Sequence, residues 1–261
     1  MIPLIYQIVA PFVLSALIVI VITVIAENYG TKLGGILGTL PSTIVIAFVF
    51  IALNRGNDFA SESASVVPAE MGINILFLFT FAVLAYRRTA ETVTISLVIW
   101  SVLSSLLYFT ELNHIYISLF AYAVLMIGSF LILEKKVKIR SVGKVDIEYT
   151  PKKIAFRGVI AGTVIAISVF LSNINPVLSG IFSVFPAIFL STMLIFTREH
   201  GPKFVGGSAK SMIFGTPSVV SYAVAVHFLY PRVGILFGSV GAYLVSLMVV
   251  SVLLLQRGRF S

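Results

Sequence analysis

The chain is a series of apolar blocks, each about 20 residues long, separated by short polar segments. A helix of that length, rising about 1.5 Å per residue, crosses the roughly 30 Å hydrocarbon layer of a bilayer. In lipid every backbone N–H and C=O must be paired within the protein, which a helix does locally. The ten-residue alternation of a spanning β-barrel strand is absent. The blocks fall near 4–26, 33–53, 66–86, 93–110, 114–133, 155–172, 177–197, 209–229 and 232–256. The expected fold is an all-α integral membrane protein of about nine transmembrane helices. Composition agrees: 59% of the residues are hydrophobic and 11% charged, and the mean hydropathy is +1.08. A soluble domain carries about 25% charged residues, so a soluble fold is excluded. Segment 4–26 has no basic residues before it and exceeds the apolar core of a signal peptide, so it is read as a retained first helix.

The net charge of +8 would point to nucleic acid if the basic residues formed one patch. They lie between the blocks instead, so no nucleic-acid partner is expected and the partner is the lipid bilayer. With nine crossings, one face holds Lys32, Arg87, Arg88, the run from Lys135 to Arg157, Arg198, Lys203, Lys210, Arg257 and Arg259, which is 16 of the 18 basic residues. The other keeps Arg55 and Arg232. Basic loops stay in the cytoplasm. The C-terminus is therefore expected inside and the N-terminus outside, in the cytoplasmic (plasma) membrane.

A step of 145 residues aligns the two halves without a gap, placing LGGILGTLP on LSGIFSVFP and Pro41 on Pro186. At the same step G-x-x-F-x-x-x-S-A recurs, from Gly56 and from Gly201. Four helices return a chain to its starting side, so the extra fifth helix makes the second repeat begin on the opposite side. The expected organisation is repeat A at 1–112, a connecting helix at 113–133, a basic cytoplasmic loop at 134–154 and repeat B at 155–261. The repeats are then inverted, an architecture of many secondary transporters.

The segments PVLSGIFSVFPAIFLSTMLIFTREH and FVGGSAKSMIFGTPSVVSYAVAVHFLYP resemble the small four-helix GlpM-like membrane proteins, in which Gly and Pro mark the second helix and a Gly- and Ser-containing loop precedes the third. The first half resembles them more weakly. The resemblance implies a four-helix fold unit present in two copies, with no substrate and no catalytic residue set.

Prolines inside apolar helices remove hydrogen bonds that lipid cannot replace. Pro41, preceded by Gly35 and Gly38, and Pro186, preceded by Gly180, are expected near mid-helix, where unwound segments border a substrate. The plainer reading is close packing through small residues with a kink. Pro217, after Thr216, is expected to interrupt the eighth helix, whereas Pro68 is placed in the first turn of the third. Glu70, with Asn74 one turn on, is the candidate coupling residue, although a carboxylate one turn from the helix end also reaches outer water. Glu27 and Lys210 are further coupling candidates, the first also readable as a surface ion pair with Lys32 and the second as a lysine extended to the interface. Phe and Tyr are read as lipid-facing bulk and interfacial belt.

There is no cysteine, no HExxH, no P-loop and no GxSxG, so no metal, cofactor or enzymatic activity is expected. The leading expectation is a small secondary transporter or permease for a small-molecule or ion substrate, with Gly35, Gly38, Pro41, Asn74, Gly180, Pro186, Thr216 and Pro217 bordering the substrate. An accessory or structural membrane subunit, including a homo-oligomer, and a lipid-modifying membrane enzyme are the alternatives.

Overall fold

The computed structural model describes residues 3–28, 41–110, 114–139 and 150–257, and the regular structure among them is entirely helical. The helices are α1 (Leu4–Asn28), α2 (Ser42–Arg55), α3 (Asn57–Val83), α4 (Thr89–Phe109) and α5 (Ile115–Leu131), the last continued by a π-helical turn (Ile132–Lys136). Next come α6 (Pro151–Leu171), α7 (Pro176–Ser183) and α8 (Ala187–Glu199). The helical run Gly201–Arg257 is divided at Gly234, whose φ of 76° and ψ of −179° leave the helical region. We number its parts α9 (201–233) and α10 (235–257). Seven of the helical segments are long and apolar enough to cross a membrane, with Gly201–Leu253 counted once and α2 shorter. The described residues are thus all-helical, with segments suited to crossing a membrane.

With lipid as solvent, large apolar side chains lie on the outside as well as in the core. Val102, Phe120, Phe237 and Leu255 face outward from α4, α5 and α10. The interior holds many small hydroxyl residues, along with Glu70 and Asn74. Small residues let backbones approach where lipid tails remove any hydrophobic drive between helices. At the centre is α3, buried on almost all sides and packed by α9, α5, α4, α7 and α2.

Two of the helix pairs that correspond at the 145-residue step, α1 with α6 and α3 with α9, pack on each other. In the pair α1 and α6, Gly158 lies against Ile20 and Gly162 against Phe12, and Asn173 donates to Gln7 at 2.7 Å. Higher numbers on one helix meet lower numbers on the other, so the two run antiparallel. The same holds for α3 and α9. Ser61, near the start of α3, donates to the carbonyl of His227 at 2.7 Å. Gly206, near the start of α9, faces the Ala82 carbonyl near the end of α3, which a Cβ on Gly206 would approach to 3.6 Å. Since 61 + 145 = 206 and 82 + 145 = 227, the two contacts exchange partners.

Several expected boundaries move. The third and eighth blocks, expected from 66 and 209, begin as helices at Asn57 and Gly201. The segment NDFASESAS is helix rather than loop: Ala60, Ser61, Ser63, Ala64 and Ser65 are small enough to pack inside, yet not apolar enough to read as membrane. Pro68 accordingly lies well inside α3, not in its first turn. A glycine of positive φ marks the turn into each of these helices, Gly56 with φ 92° before α3 and Gly201 with φ 75° at the start of α9. Pro217 does not interrupt its helix, because α9 runs through it. The carbonyl of Ile213 that Pro217 leaves free accepts from the Thr216 hydroxyl at 2.7 Å. Pro186 stands at the start of α8 and divides the expected seventh block into α7 and α8. Pro41 precedes α2 in the same way, with φ −78° and ψ 55° against −74° and 34° at Pro186.

Candidate functional site

Glu70 and Asn74 are one turn apart near the middle of α3, and neither has any exposed surface. The observed start of α3 puts Glu70 more than three turns from that end of the helix, too deep for its carboxylate to reach water there directly. Ser104 of α4 donates to Glu70 Oε1 at 2.9 Å. Trp100, one turn earlier on α4, brings its indole N–H toward the same carboxyl without completing a hydrogen bond. The ring of Trp100 stands edge-on to Phe182, at the end of α7, at 6.1 Å and to Phe185, within the α7–α8 break, at 4.7 Å. Within that break the carbonyl of Val184 accepts from Asn74 Nδ2 at 2.6 Å. One polar cluster thus joins α3, α4 and the broken helix.

Four buried polar atoms in this cluster have no hydrogen-bond partner: Glu70 Oε2, Asn74 Oδ1, Trp100 Nε1 and, one turn before Trp100, Ser96 Oγ. Orphaned buried groups are costly and uncommon, and their concentration here marks a place where a ligand or a proton completes the network. The described ion pairs, Lys153–Glu199 and Lys210–Glu134, lie elsewhere. An intramembrane carboxyl without a cation needs a polar partner, water or a proton. Among the described residues no three His, Asp or Glu side chains gather as a metal site.

The other expected site residues fall apart from this cluster. Gly180 serves close packing: a Cβ there would stand 2.3 Å from the Ser63 carbonyl, so α7 lies directly on the backbone of α3. Thr216 accepts from the Tyr122 hydroxyl at 2.8 Å, tying α9 to α5 beside Pro217. Lys210 does not extend to the interface. It is buried, paired with Glu134 of the π-helical turn, and donates to the Ile139 carbonyl at 2.8 Å, which pins the start of the basic loop to α9. Gly35 and Gly38 lie outside the described residues, as does the Glu27 side chain. An open groove of about 430 Å³ lies on the outward face of α4, lined by Ser101, Val102, Ser105, Leu106 and Phe109, away from Glu70.

Trp100 and Ser104 escape a reading of single helices, although Thr92, Ser96, Trp100 and Ser104 form a stripe at four-residue spacing along α4, and all four are buried. The aromatic residues are not all lipid-facing. Phe182 ends α7 and Phe185 lies in the break, both packed against the core, and Tyr122, Tyr222 and Tyr230 are buried. Ser61 and His227 also escape it: His227 Nδ1 donates to the Ser61 carbonyl at 2.8 Å while Ser61 Oγ donates to the His227 carbonyl, a reciprocal clasp between α3 and α9.

Residues 8–113, covering α1 to α4, match a family described as a protein of unknown function, DUF3147. The match spans less than half of the chain. No curated protein matches the chain. No solved structure matches it either.

Proposed function

We propose that this protein is a small secondary transporter that moves a small solute by alternating access between two inverted four-helix repeats. The repeats are 1–112 and 155–261, joined by α5, with nine crossings and the C-terminus in the cytoplasm. The observation that carries the reading is the exchange of contacts between α3 and α9, where Ser61 meets His227 and Gly206 meets Ala82. Two equivalent helices that clasp antiparallel in matching register are what an inverted repeat around a central two-fold axis produces. The matched stretch 8–113 supports α1 to α4 as one unit. The helix break at Val184–Pro186 and the cluster of Glu70, Asn74, Trp100 and Ser104 supply the discontinuous helix and buried polar groups that such transporters place near the midplane. The solute path runs between the halves beside this break. The Ser61–His227 contact closes it on the outer side and the Gly206–Ala82 contact on the inner side.

The absence of cysteine makes the test direct. Ser183→Cys places one thiol at the break. In proteoliposomes it is expected to react with a membrane-impermeant maleimide added on either side. Cross-linking cysteines at 61 and 227 should abolish labelling from outside only, and cross-linking 82 to 206 from inside only. Protection from both sides would match an accessory subunit and sink the transporter reading.

A further inference from the structure

Two of the orphaned atoms at the broken helix are acceptors on neighbouring side chains. The orientation of Asn74 is fixed by its partner, because only an N–H can donate to the Val184 carbonyl, and Oδ1 is therefore the atom left over. On Glu70, Ser104 takes Oε1 and leaves Oε2. The two residues are four apart on one helix, the spacing at which side chains meet. Two acceptors repel unless something positive stands between them.

We propose that Glu70 carries a proton on Oε2 in this closed conformation, donated to Asn74 Oδ1, and that this shared proton is the coupling ion. A single proton satisfies both orphaned oxygens. A hard metal cation takes about six oxygen ligands, and the orphaned side-chain oxygens of this cluster number three, Glu70 Oε2, Asn74 Oδ1 and Ser96 Oγ. Other titratable groups leave the pair alone. On α9, the register set by Ser61–His227 and Ala82–Gly206 puts Ser218 level with Glu70. Lys210 and His227 then stand about two turns away on either side, engaged with Glu134 and Ser61. Tyr222 of α9 lies about one turn away, nearer Val66. Tyr122 of α5, beside Gly72, gives its hydroxyl to Thr216. On α4, Glu91 is exposed at the helix start, on α2 Arg55 is at the helix end, and α7 has no ionisable side chain.

The arrangement links the proton to the backbone break. Asn74 holds the proton through Oδ1 and the Val184 carbonyl through Nδ2. Loss of the proton sets a carboxylate against Oδ1, turns the amide and removes the donor from Val184, so release of the proton loosens the junction of α7 and α8. In the second half the 145-residue step places Gly215 and Val219 at the positions of Glu70 and Asn74, so the molecule carries one such site.

What the proton drives rests on the transporter reading, but the site can be tested without any substrate. Infrared difference spectra of the solubilised full chain, taken between neutral and alkaline buffer, should show the carbonyl stretch of a protonated carboxylic acid at neutral pH. The band should shift down in D₂O, disappear in Glu70→Gln and move to higher frequency in Asn74→Leu as its hydrogen bond is lost. A wild-type spectrum without the band at neutral pH, or a band that survives Glu70→Gln, overturns the proposal. So does sodium-dependent thermal stabilisation, at fixed pH, of the wild type but not of Glu70→Gln, which would assign the site to a metal cation. A Glu70 band alongside a Ser183→Cys protected on both sides would keep the proton site and remove transport.

Discussion

Ser61 makes its most consequential bond with a carbonyl that a proline has abandoned. Pro231 has no N–H to return to the His227 carbonyl four residues back, and the Ser61 hydroxyl from α3 fills that place at 2.7 Å. Removing the hydroxyl should therefore cost about 1–2 kcal/mol, at the upper end of intramembrane hydrogen bonds, because the carbonyl is left without a donor. Restoring an N–H should remove that dependence. Ser61→Ala is expected to lower the thermal midpoint in detergent in the native background and to have little effect beside Pro231→Ala. Equal losses in both backgrounds would show that the hydroxyl serves something other than the freed carbonyl. At this scale the sequence displayed Glu70 through its charge and Asn74 through helical spacing. It could not display Trp100, Ser104 or the Val184 carbonyl, because they reach Glu70 and Asn74 from other helices.

Among the elements, the apolar blocks were legible and their starts were not. Hydropathy counts Ser, Asn and Asp as loop, yet Asn57–Ser65 is helix because its small side chains pack against α9. The break at Val184–Pro186 was marked by its proline, but its position at the start of α8 depends on the bond from Asn74. Pro217 misled for the opposite reason, since Thr216 repairs the hydrogen bond locally. The turns were signalled by glycine. Gly56, with φ 92° and ψ 169°, lies in a region nearly closed to other residues, and it joins α2 to α3 with no further linker. Gly56→Ala should cost on the order of 1–3 kcal/mol of backbone strain. Nothing lies within 4 Å of a Cβ at that site, so steric clash adds nothing. A variant that unfolds at the wild-type temperature would contradict the strain argument.

For the whole molecule, the distribution of basic residues predicts the orientation. On the proposed nine-crossing topology, which puts 16 of the 18 basic residues on one face, a reporter fused after Ser261 is expected to read as cytoplasmic and one inserted at the Gly56 turn as external. An external C-terminus would remove both the orientation and the inverted arrangement. The antiparallel clasp of α3 and α9 also speaks to ancestry. If the halves descend from one four-helix ancestor, that ancestor met its own copy upside down, and so must have entered the membrane both ways round. Fusion through an odd fifth helix ended that ambiguity and released the copies from having to be identical. One half could then keep an acid and an amide at its centre while the other settled for Gly215 and Val219.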